Sequence, residues 1–210
     1  MTEFQKVEDT DSAEFTQALT LYSESIPASE RQTVETIKER IRSGKEELYI
    51  ASIDHRVASM ALLYSLEDTQ FVLLDYLAVK ETYRKRGLGS EFLRNVYEIA
   101  GLKNKLIICE VEDPKTGADK EARQRRVYFY RKNGARILKN VRYMLPPLQG
   151  SKHNEMILMV ISSNRRLLWL SGDAIKEVVA QIYRELYGRG ETDPLLVSTL
   201  KSIEPQITLQ

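Results

Sequence analysis

The stretch that decides the fold is residues 77–90, which read LAVKETYRKRGLGS. The apolar run 77–79 is typical of a strand, a basic loop follows it, and two glycines open a helical segment. Unpaired backbone N–H groups and the helix dipole make such a helix start suitable for an anion. Gly87 and Gly89 let a bulky anion approach the backbone, and the basic residues 84–86 add charge. The stretch therefore predicts a strand–loop–helix site for a bulky anion.

Two better-known phosphate-binding motifs do not fit this loop. No Gly-Lys-Ser/Thr follows it, as a nucleoside-triphosphate loop requires. No third glycine stands at the offset of a dinucleotide fingerprint. A solvated basic turn ahead of a helix would contain the same residues, so the glycines alone leave the function open.

Composition places the chain among globular proteins and excludes several classes. The 210 residues carry 31 Lys and Arg against 30 Asp and Glu, a net charge of +1, and 42% are hydrophobic. The apolar content excludes a disordered chain, and the near-zero charge disfavours a nucleic-acid partner. No apolar run is long enough for a membrane span, and residues 1–9 do not resemble a signal peptide. We therefore predict a cytoplasmic protein that has no membrane partner.

The chain has few residues that could form a disulfide or bind a metal ion. Cys109 is the single cysteine, which excludes an intrachain disulfide. His55 and His153 are the two histidines, too few for a metal cluster. We predict no metal cofactor and interpret Cys109 as a small buried apolar residue rather than an acyl carrier.

Hydrophobic periodicity predicts the element order βααβββαβαββ, followed by one further helix. The predicted strands are 4–7, 47–53, 55–64, 70–79, 106–112, 136–145 and 155–161. The predicted helices are 12–25, 29–42, 87–100, a charged segment ending near 133, and 173–187, with an irregular tail after Gly190. This order predicts an α/β (α+β) fold with a mixed central sheet flanked by helices.

The character of the sequence changes after Ser162, so we predict one domain over 1–162 and a C-terminal helical extension over 163–210. The amphipathic helix 173–187 carries one apolar stripe: Ala174, Ile175, Val178, Val179, Ile182, Tyr183 and Leu186. Such a stripe is too apolar to remain in water. We expect it to pack on protein, either on its own domain or on a second subunit of a homodimer.

Two segments in this order resemble the GNAT superfamily of N-acetyltransferases. Arg84-x-x-Gly87-x-Gly89 resembles the family's acetyl-CoA pyrophosphate loop, which follows a strand like 77–79. Residues 127–135, VYFYRKNGA, resemble the later helix that ends in Tyr-x-x-x-Gly-Phe, with alanine in place of the phenylalanine. The resemblance covers residues 4–162 and matches the family's element order. It implies a GNAT-like fold and an acetyl-CoA-dependent N-acetyltransferase.

The resemblance implies that acetyl-CoA binds along the glycine loop as co-substrate. The implied cofactor-binding residues are Leu77, Val79, Arg84, Lys85, Arg86, Gly87, Leu88, Gly89 and Ser90. The amide N–H of Val79 would hold the thioester carbonyl as an oxyanion donor. Arg123 stands where the family often carries an asparagine that binds pantetheine, and we expect Arg123 to meet a CoA phosphate instead.

Acetyl transfer needs a base, because an alkyl amine with a pKa of about 10.4 is almost fully protonated at pH 7. Glu110 resembles the base that some family members carry in a Leu-Glu-Val strand, so it is the first candidate. Asp75, which alternation puts on the face of Leu73 and Leu77, is the second. Either acid could instead pair with a lysine or an arginine.

Tyr130 occupies the family position of the tyrosine that protonates the departing thiolate, although a core tyrosine would have the same spacing. Glu112 shares the strand face of Glu110, and His153 lies in a loop that often contacts the acceptor in the family. Glu110, Glu112 and Asp75 together would form a negative pocket for a cationic amine, either a small molecule or a peptide.

Two readings from other classes stay open. A catalytically silent acyl-CoA sensor would keep the glycine loop but would have no use for Tyr130 and Glu110. A nucleic-acid-binding domain would use the basic segments 84–86 and 123–126. The near-zero net charge of the chain counts against this interpretation. Turnover of acetyl-CoA separates the enzyme from the sensor, and salt-sensitive nucleic-acid binding would favour the third reading.

Overall fold

The computed structural model describes residues 4–117, 119–148 and 153–210. The chain divides into two compact units. The first comprises the chain up to Ser65 together with Val72–Lys103, and the second comprises Leu66–Phe71 and Asn104–Gln210. The predicted domain boundary after residue 162 is a different division and stays a prediction.

The first unit contains an antiparallel sheet in the order β1-β2-β3-β4. Its strands are β1 (Phe4–Val7), β2 (Glu46–Ile53), β3 (Arg56–Ser65) and β4 (Phe71–Val79). Asp54 and His55, with φ of 48° and 59°, form the two-residue β2–β3 turn that such hairpins favour. All inner positions of β3 are buried, which places this strand at the centre of the unit.

Three helices pack in the first unit: α1 (Ala13–Ser25), α2 (Val34–Arg42) and α3 (Leu88–Ile99). Ser12 caps α1 as predicted, accepting from the Phe15 amide. The predicted helix 29–42 is wrong in its first part, because Thr33 caps α2. Residues 28–30 form a separate 3-10 turn. The core below α1 and α2 includes Leu19, Tyr22, Ile37, Leu48, Ile50 and Leu62.

The second unit is built around β8 (Asn154–Ile161). It pairs antiparallel with β5 (Leu106–Glu112), and its other edge pairs with β6 (Arg136–Ile137) and β7 (Tyr143–Leu145). The prediction of one strand over 136–145 is wrong, because Asn140 has a φ of 63° that interrupts the extended backbone. Helix α4 (Lys120–Lys132) starts at Asp119, whose side chain accepts from the Ala122 amide.

The chain after Ser162 belongs to the second unit. It forms β9 (Trp169–Ser171), α5 (Gly172–Leu186), α6 (Pro194–Ser202) and β10 (Gln206–Thr208). The prediction of an irregular tail after Gly190 is wrong. Asp193 caps α6 with Pro194 in its first turn, and β10 pairs with β9.

The predicted apolar stripe of α5 is covered by the chain itself. Its buried members are Ile175, Val178, Val179, Ile182, Tyr183 and Leu186, whereas Ala174 is partly exposed. The stripe therefore packs without a second subunit, and the homodimer stays a prediction. Within the described ranges, no helix is long and apolar enough to cross a membrane.

Candidate active site

The glycine loop lies after β4 in the first unit. A short 3-10 turn, Glu81–Tyr83, leads into Lys85 and Gly87, which have φ of 65° and 88°. Gly87 is the residue that starts α3, and a left-handed φ of this size is why glycine is favoured there. In the described chain no side chain caps this helix start, so its amide N–H groups suit an anionic ligand.

The basic residues of this loop face solvent. Arg84, Lys85 and Arg86 are all exposed. The Arg86 guanidinium lies 5.1 Å from the centre of the Tyr83 ring, which orients it by a cation–π contact. Of the other predicted cofactor contacts, Leu88 and Gly89 are buried and Leu77, Val79 and Ser90 are half-buried. Binding of CoA by these residues stays a prediction.

Glu110, in the middle of β5, has its carboxylate held by two phenols. Tyr143 in β7 donates to Oε1, and Tyr187, the residue after α5, donates to Oε2 at 2.7 Å. The two phenols lie 33 and 77 residues along the chain from Glu110. Sequence reasoning missed both, because no local spacing indicates a contact at that separation.

Glu112 and Arg123 pair with each other, although the sequence predicted acceptor contact for the first and CoA contact for the second. Glu112 lies 2.9 Å from the Arg123 guanidinium and also accepts from Arg126. Arg123 donates further to the Thr116 carbonyl at 2.9 Å, fastening the loop after β5. These contacts do not support the predicted roles, because each charge is already paired; both roles stay predictions.

Asp75 lies in a β-bulge of β4. The register passes from Leu74 to Tyr76, so the strand alternation used to place Asp75 on a face with Leu73 and Leu77 breaks at this residue. The Asp75 side chain is only 5% exposed and lies 3.9 Å from the Arg40 guanidinium.

Burial and two charged neighbours, Glu46 and Arg40, act on the pKa of Asp75, and Arg40 opposes the rise. Burial, and then the charge of nearby Glu46, raise the pKa of Asp75 well above its usual range. Burial also raises the pKa of Glu46 to about 7. A raised pKa alone does not decide whether Asp75 accepts a proton from an acceptor amine, so the base role of Asp75 stays a prediction.

Tyr130 lies in the last turn of α4 and is partly buried. Burial raises the pKa of its phenol, the nearby Cys109 thiol adds to the shift, and Arg126 opposes it. The phenol is therefore protonated throughout the neutral range and can act as a proton donor. Cys109 itself is buried, and burial raises the pKa of its thiol, which disfavours it as a nucleophile.

His153 is exposed, immediately before β8. This position alone does not decide whether it meets an acceptor, so that role stays a prediction. Across the described ranges, no group of three or more His, Cys, Asp or Glu side chains could hold a metal ion.

The sequence model of the acetyltransferase (GNAT) family matches residues 10–134. The chain therefore belongs to the GNAT acetyltransferase family, as the sequence predicted.

Solved structures give the same fold. A putative GNAT acetyltransferase from Bacteroides thetaiotaomicron is 24% identical with a TM-score of 0.72, over 89% of this chain and 99% of that one. The ribosomal-protein-S18-alanine N-acetyltransferase of Escherichia coli is 16% identical, with a TM-score of 0.56 over 78% and 98% of the two chains. A GNAT acetyltransferase from Elizabethkingia anophelis with acetyl-CoA bound is 18% identical, with a TM-score of 0.51 over 77% and 97%.

These likenesses confirm the predicted α/β class with a mixed sheet. At such identities they concern the fold alone. No curated protein matches the chain significantly.

Proposed function

We propose that this protein is an N-acetyltransferase that moves the acetyl group of acetyl-CoA to a primary amine by direct attack in a ternary complex. The observation that carries the proposal is Tyr130, a partly buried phenol that keeps its proton at neutral pH, in a chain of the acetyltransferase family. A silent acyl-CoA sensor, the alternative, has no use for such a donor.

In this proposal the glycine loop binds the pyrophosphate of acetyl-CoA. The exposed basic residues 84–86 and the uncapped start of α3 supply the positive charge. The E. anophelis structure, which holds acetyl-CoA, supports acetyl-CoA as the co-substrate. The Val79 amide N–H would then stabilise the oxyanion that forms on the thioester carbonyl.

Replacing Gly87 by alanine is expected to weaken CoA binding about tenfold or more. A Cβ at this position would meet no protein atom within 4 Å. The new methyl group would therefore act by straining the left-handed backbone, whose φ is 88°, and by obstructing the approaching anion. Isothermal titration calorimetry with CoA measures the change.

Gly101→Ala is the matched control, because Gly101 has a φ of 61° near the other end of α3 and equally open surroundings. The two variants should lose similar stability, while only Gly87→Ala loses affinity. Equal CoA affinity in the two variants would show that CoA binds outside the glycine loop.

The chemistry assigns one proton transfer to each of two residues. The Glu110 carboxylate removes a proton from the ammonium form of the acceptor, directly or through water. The neutral amine nitrogen then attacks the thioester carbon, and the adduct loses its second N–H proton to solvent. The C–S bond breaks, Tyr130 protonates the departing thiolate, and Glu110 releases to solvent the proton that it took. Tyr130 regains its proton from solvent. No acyl-enzyme forms, because Cys109 is a buried thiol with a raised pKa.

The acceptor in this proposal is a cationic primary amine. Glu112 is already neutralised by Arg123 and Arg126, so Glu110 supplies the main negative charge. The name of the E. coli structure describes an enzyme that acetylates an alanine of a ribosomal protein. The proposed acceptor is therefore either a small molecule or a peptide with a free amine.

An acceptor screen tests the proposed function directly. Acetyl-CoA is mixed with spermidine, an aminoglycoside, free amino acids or a peptide with a free N-terminus, and release of the CoA thiol is followed. Turnover with any of them supports the enzyme. Tight CoA binding without turnover of any amine would favour the sensor.

Glu110→Gln is expected to lower kcat/KM at neutral pH about 100-fold, because the base is lost. The loss should shrink at high pH, where the amine is already neutral. A pH profile from about 6 to 10 with the best acceptor of the screen measures both effects.

Glu112→Gln makes the same substitution two residues along the same strand, at an acid that arginines already neutralise. We expect a much smaller loss there. A profile unchanged in Glu110→Gln but strongly lowered in Asp75→Asn would transfer the base role to Asp75.

We further propose a cytoplasmic location, with neither a nucleic acid nor a membrane as partner. Whether two copies associate is settled by the mass in solution from light scattering.

A further inference from the structure

We infer that the C-terminal extension is part of the catalytic machinery, because it supplies Tyr187 as a positioning residue that holds Glu110 for proton transfer. The inference rests on the proposed role of Glu110 as the base. It adds a function for a part of the chain that lies beyond residues 10–134, where the family match ends.

Tyr187 contacts Glu110 directly, and the end of α5 holds the Tyr187 phenol in place. Tyr187 donates to Glu110 Oε2 at 2.7 Å from the position that immediately follows α5. The apolar stripe of α5 is buried, and the Arg189 amide donates to the Tyr183 carbonyl at 2.9 Å, closing the helix end. The phenol at 187 is thus held by the extension rather than by a loop free to move.

A second phenol also donates a hydrogen bond to Glu110. Tyr143, fully buried in β7, donates to the other carboxylate oxygen of Glu110. Tyr183 lies edge-on to both phenols, with ring centroids 5.9 Å from Tyr143 and 6.1 Å from Tyr187. The Tyr183 hydroxyl donates to the Met144 carbonyl, next to Tyr143 in the chain. One buried ring of α5 therefore fixes the positions of both donors.

Two donors on two oxygens have a defined effect on a carboxylate. Hydrogen bonds to the ionised form of a carboxylate stabilise that form and fix the direction of its lone pairs, and both phenols make such bonds with Glu110. A carboxylate accepts at about four positions, so two phenol bonds alone do not use up its capacity to take a proton.

Other groups near Glu110 act less directly on its proton. Its charge raises the pKa of the adjacent Cys109 thiol and of Tyr183, in both cases after the larger effect of burial. Asp193 and Arg189 also lie close enough to act on Tyr183, with opposite signs. Tyr143 and Tyr187 act on Glu110 directly, since each donates a hydrogen bond to the carboxylate itself.

The test measures the Glu110 titration in the protein without any ligand. Glutamate labelled with ¹³C at the side-chain carboxyl is incorporated, and the resonance missing from Glu110→Gln identifies Glu110. In Tyr187→Phe we expect the titration midpoint to rise by about one pH unit, a tenfold change in proton affinity. An unmoved midpoint would overturn the inference.

Tyr183→Phe is the matched control on the same helix. It removes the hydroxyl that donates to Met144 and keeps the ring, so it should lower the melting temperature without moving the Glu110 midpoint. An equal shift in both variants would mean that general loosening, not the Tyr187 hydrogen bond, sets the titration. If Tyr187→Phe does not fold, Tyr143→Phe carries the same expectation for the midpoint.

Kinetics separate this inference from the proposed function. With spermidine or the peptide, whichever turns over, the acidic limb of kcat/KM in Tyr187→Phe should move with the midpoint. If Glu110→Gln lowers turnover but Tyr187→Phe moves neither the Glu110 midpoint nor the acidic limb of kcat/KM, Glu110 is the base but Tyr187 does not position it. If Glu110→Gln turns over like the wild type, the base assignment fails, and this inference fails with it.

Discussion

Tyr130→Phe is expected to lower kcat about 10²–10⁴-fold and to leave acetyl-CoA affinity nearly unchanged. The substitution removes the one proton that the phenol would give to the departing thiolate, and it keeps the ring that packs edge-on against Phe129. Because the pKa of Tyr130 is raised, the wild-type phenol is a full donor across the neutral range. Steady-state rates and calorimetry with acetyl-CoA measure the two quantities separately.

Tyr128→Phe provides the control for this variant. Tyr128 lies two residues earlier on α4 and is 67% exposed, so the same loss of a hydroxyl should leave kcat within about twofold. If kcat in Tyr130→Phe also stays within twofold of the wild type, water or another group protonates the thiolate. The same result would remove the observation that favours an enzyme over a silent sensor.

The glycine loop was predictable because all of its determinants are local. An apolar run, the basic residues 84–86 and two glycines within 77–90 suffice to end a strand and start a helix. The cap Ser12 was predicted by the same rule, since its side chain accepts from an amide three residues ahead; Thr33 and Asp119 make the same contact but were not predicted as caps. Asp193 and Pro194 carried an equally local signal for α6, which the sequence analysis overlooked.

The environment of each acid was not predictable, because it depends on residues far away in the chain. Alternation put Glu110 and Glu112 on one face, yet one meets phenols and the other meets arginines. Asp75 shows a second limit, since a single bulge breaks the alternation that placed it. A sequence gives the spacing of acids along a strand, but it does not give the partners that decide their charge.

The contrast between Glu110 and Asp75 follows from these partners. Asp75 is buried near Glu46, a like charge, and such surroundings favour the protonated acid. Glu110 accepts from two neutral donors, and such surroundings favour the carboxylate. Two acids that the sequence presented as rival bases therefore have different kinds of neighbours, and the pH profiles of Glu110→Gln and Asp75→Asn decide between them.

Ending the chain at Ser171 is expected to abolish cooperative folding of the second unit. The truncation removes α5 with five buried aliphatic residues, and each fully buried Val, Leu or Ile contributes about 1.5–3 kcal/mol. Their total is comparable with a typical net stability of roughly 5–15 kcal/mol. The truncation also deprives Glu110 of Tyr187. Thermal unfolding followed by circular dichroism, with size-exclusion chromatography, measures the loss.

Single substitutions in α5 make the prediction quantitative where the truncated chain precipitates. Ile182 is fully buried, so Ile182→Ala should cost about 2–5 kcal/mol and lower the melting temperature clearly. Glu177→Ala, at an exposed position of the same helix, should change stability by about 0.5 kcal/mol or less. A chain ending at Ser171 that keeps the melting temperature and solubility of the full protein would show that α5 is dispensable. The positioning role of Tyr187 would then depend on the Glu110 titration midpoint alone.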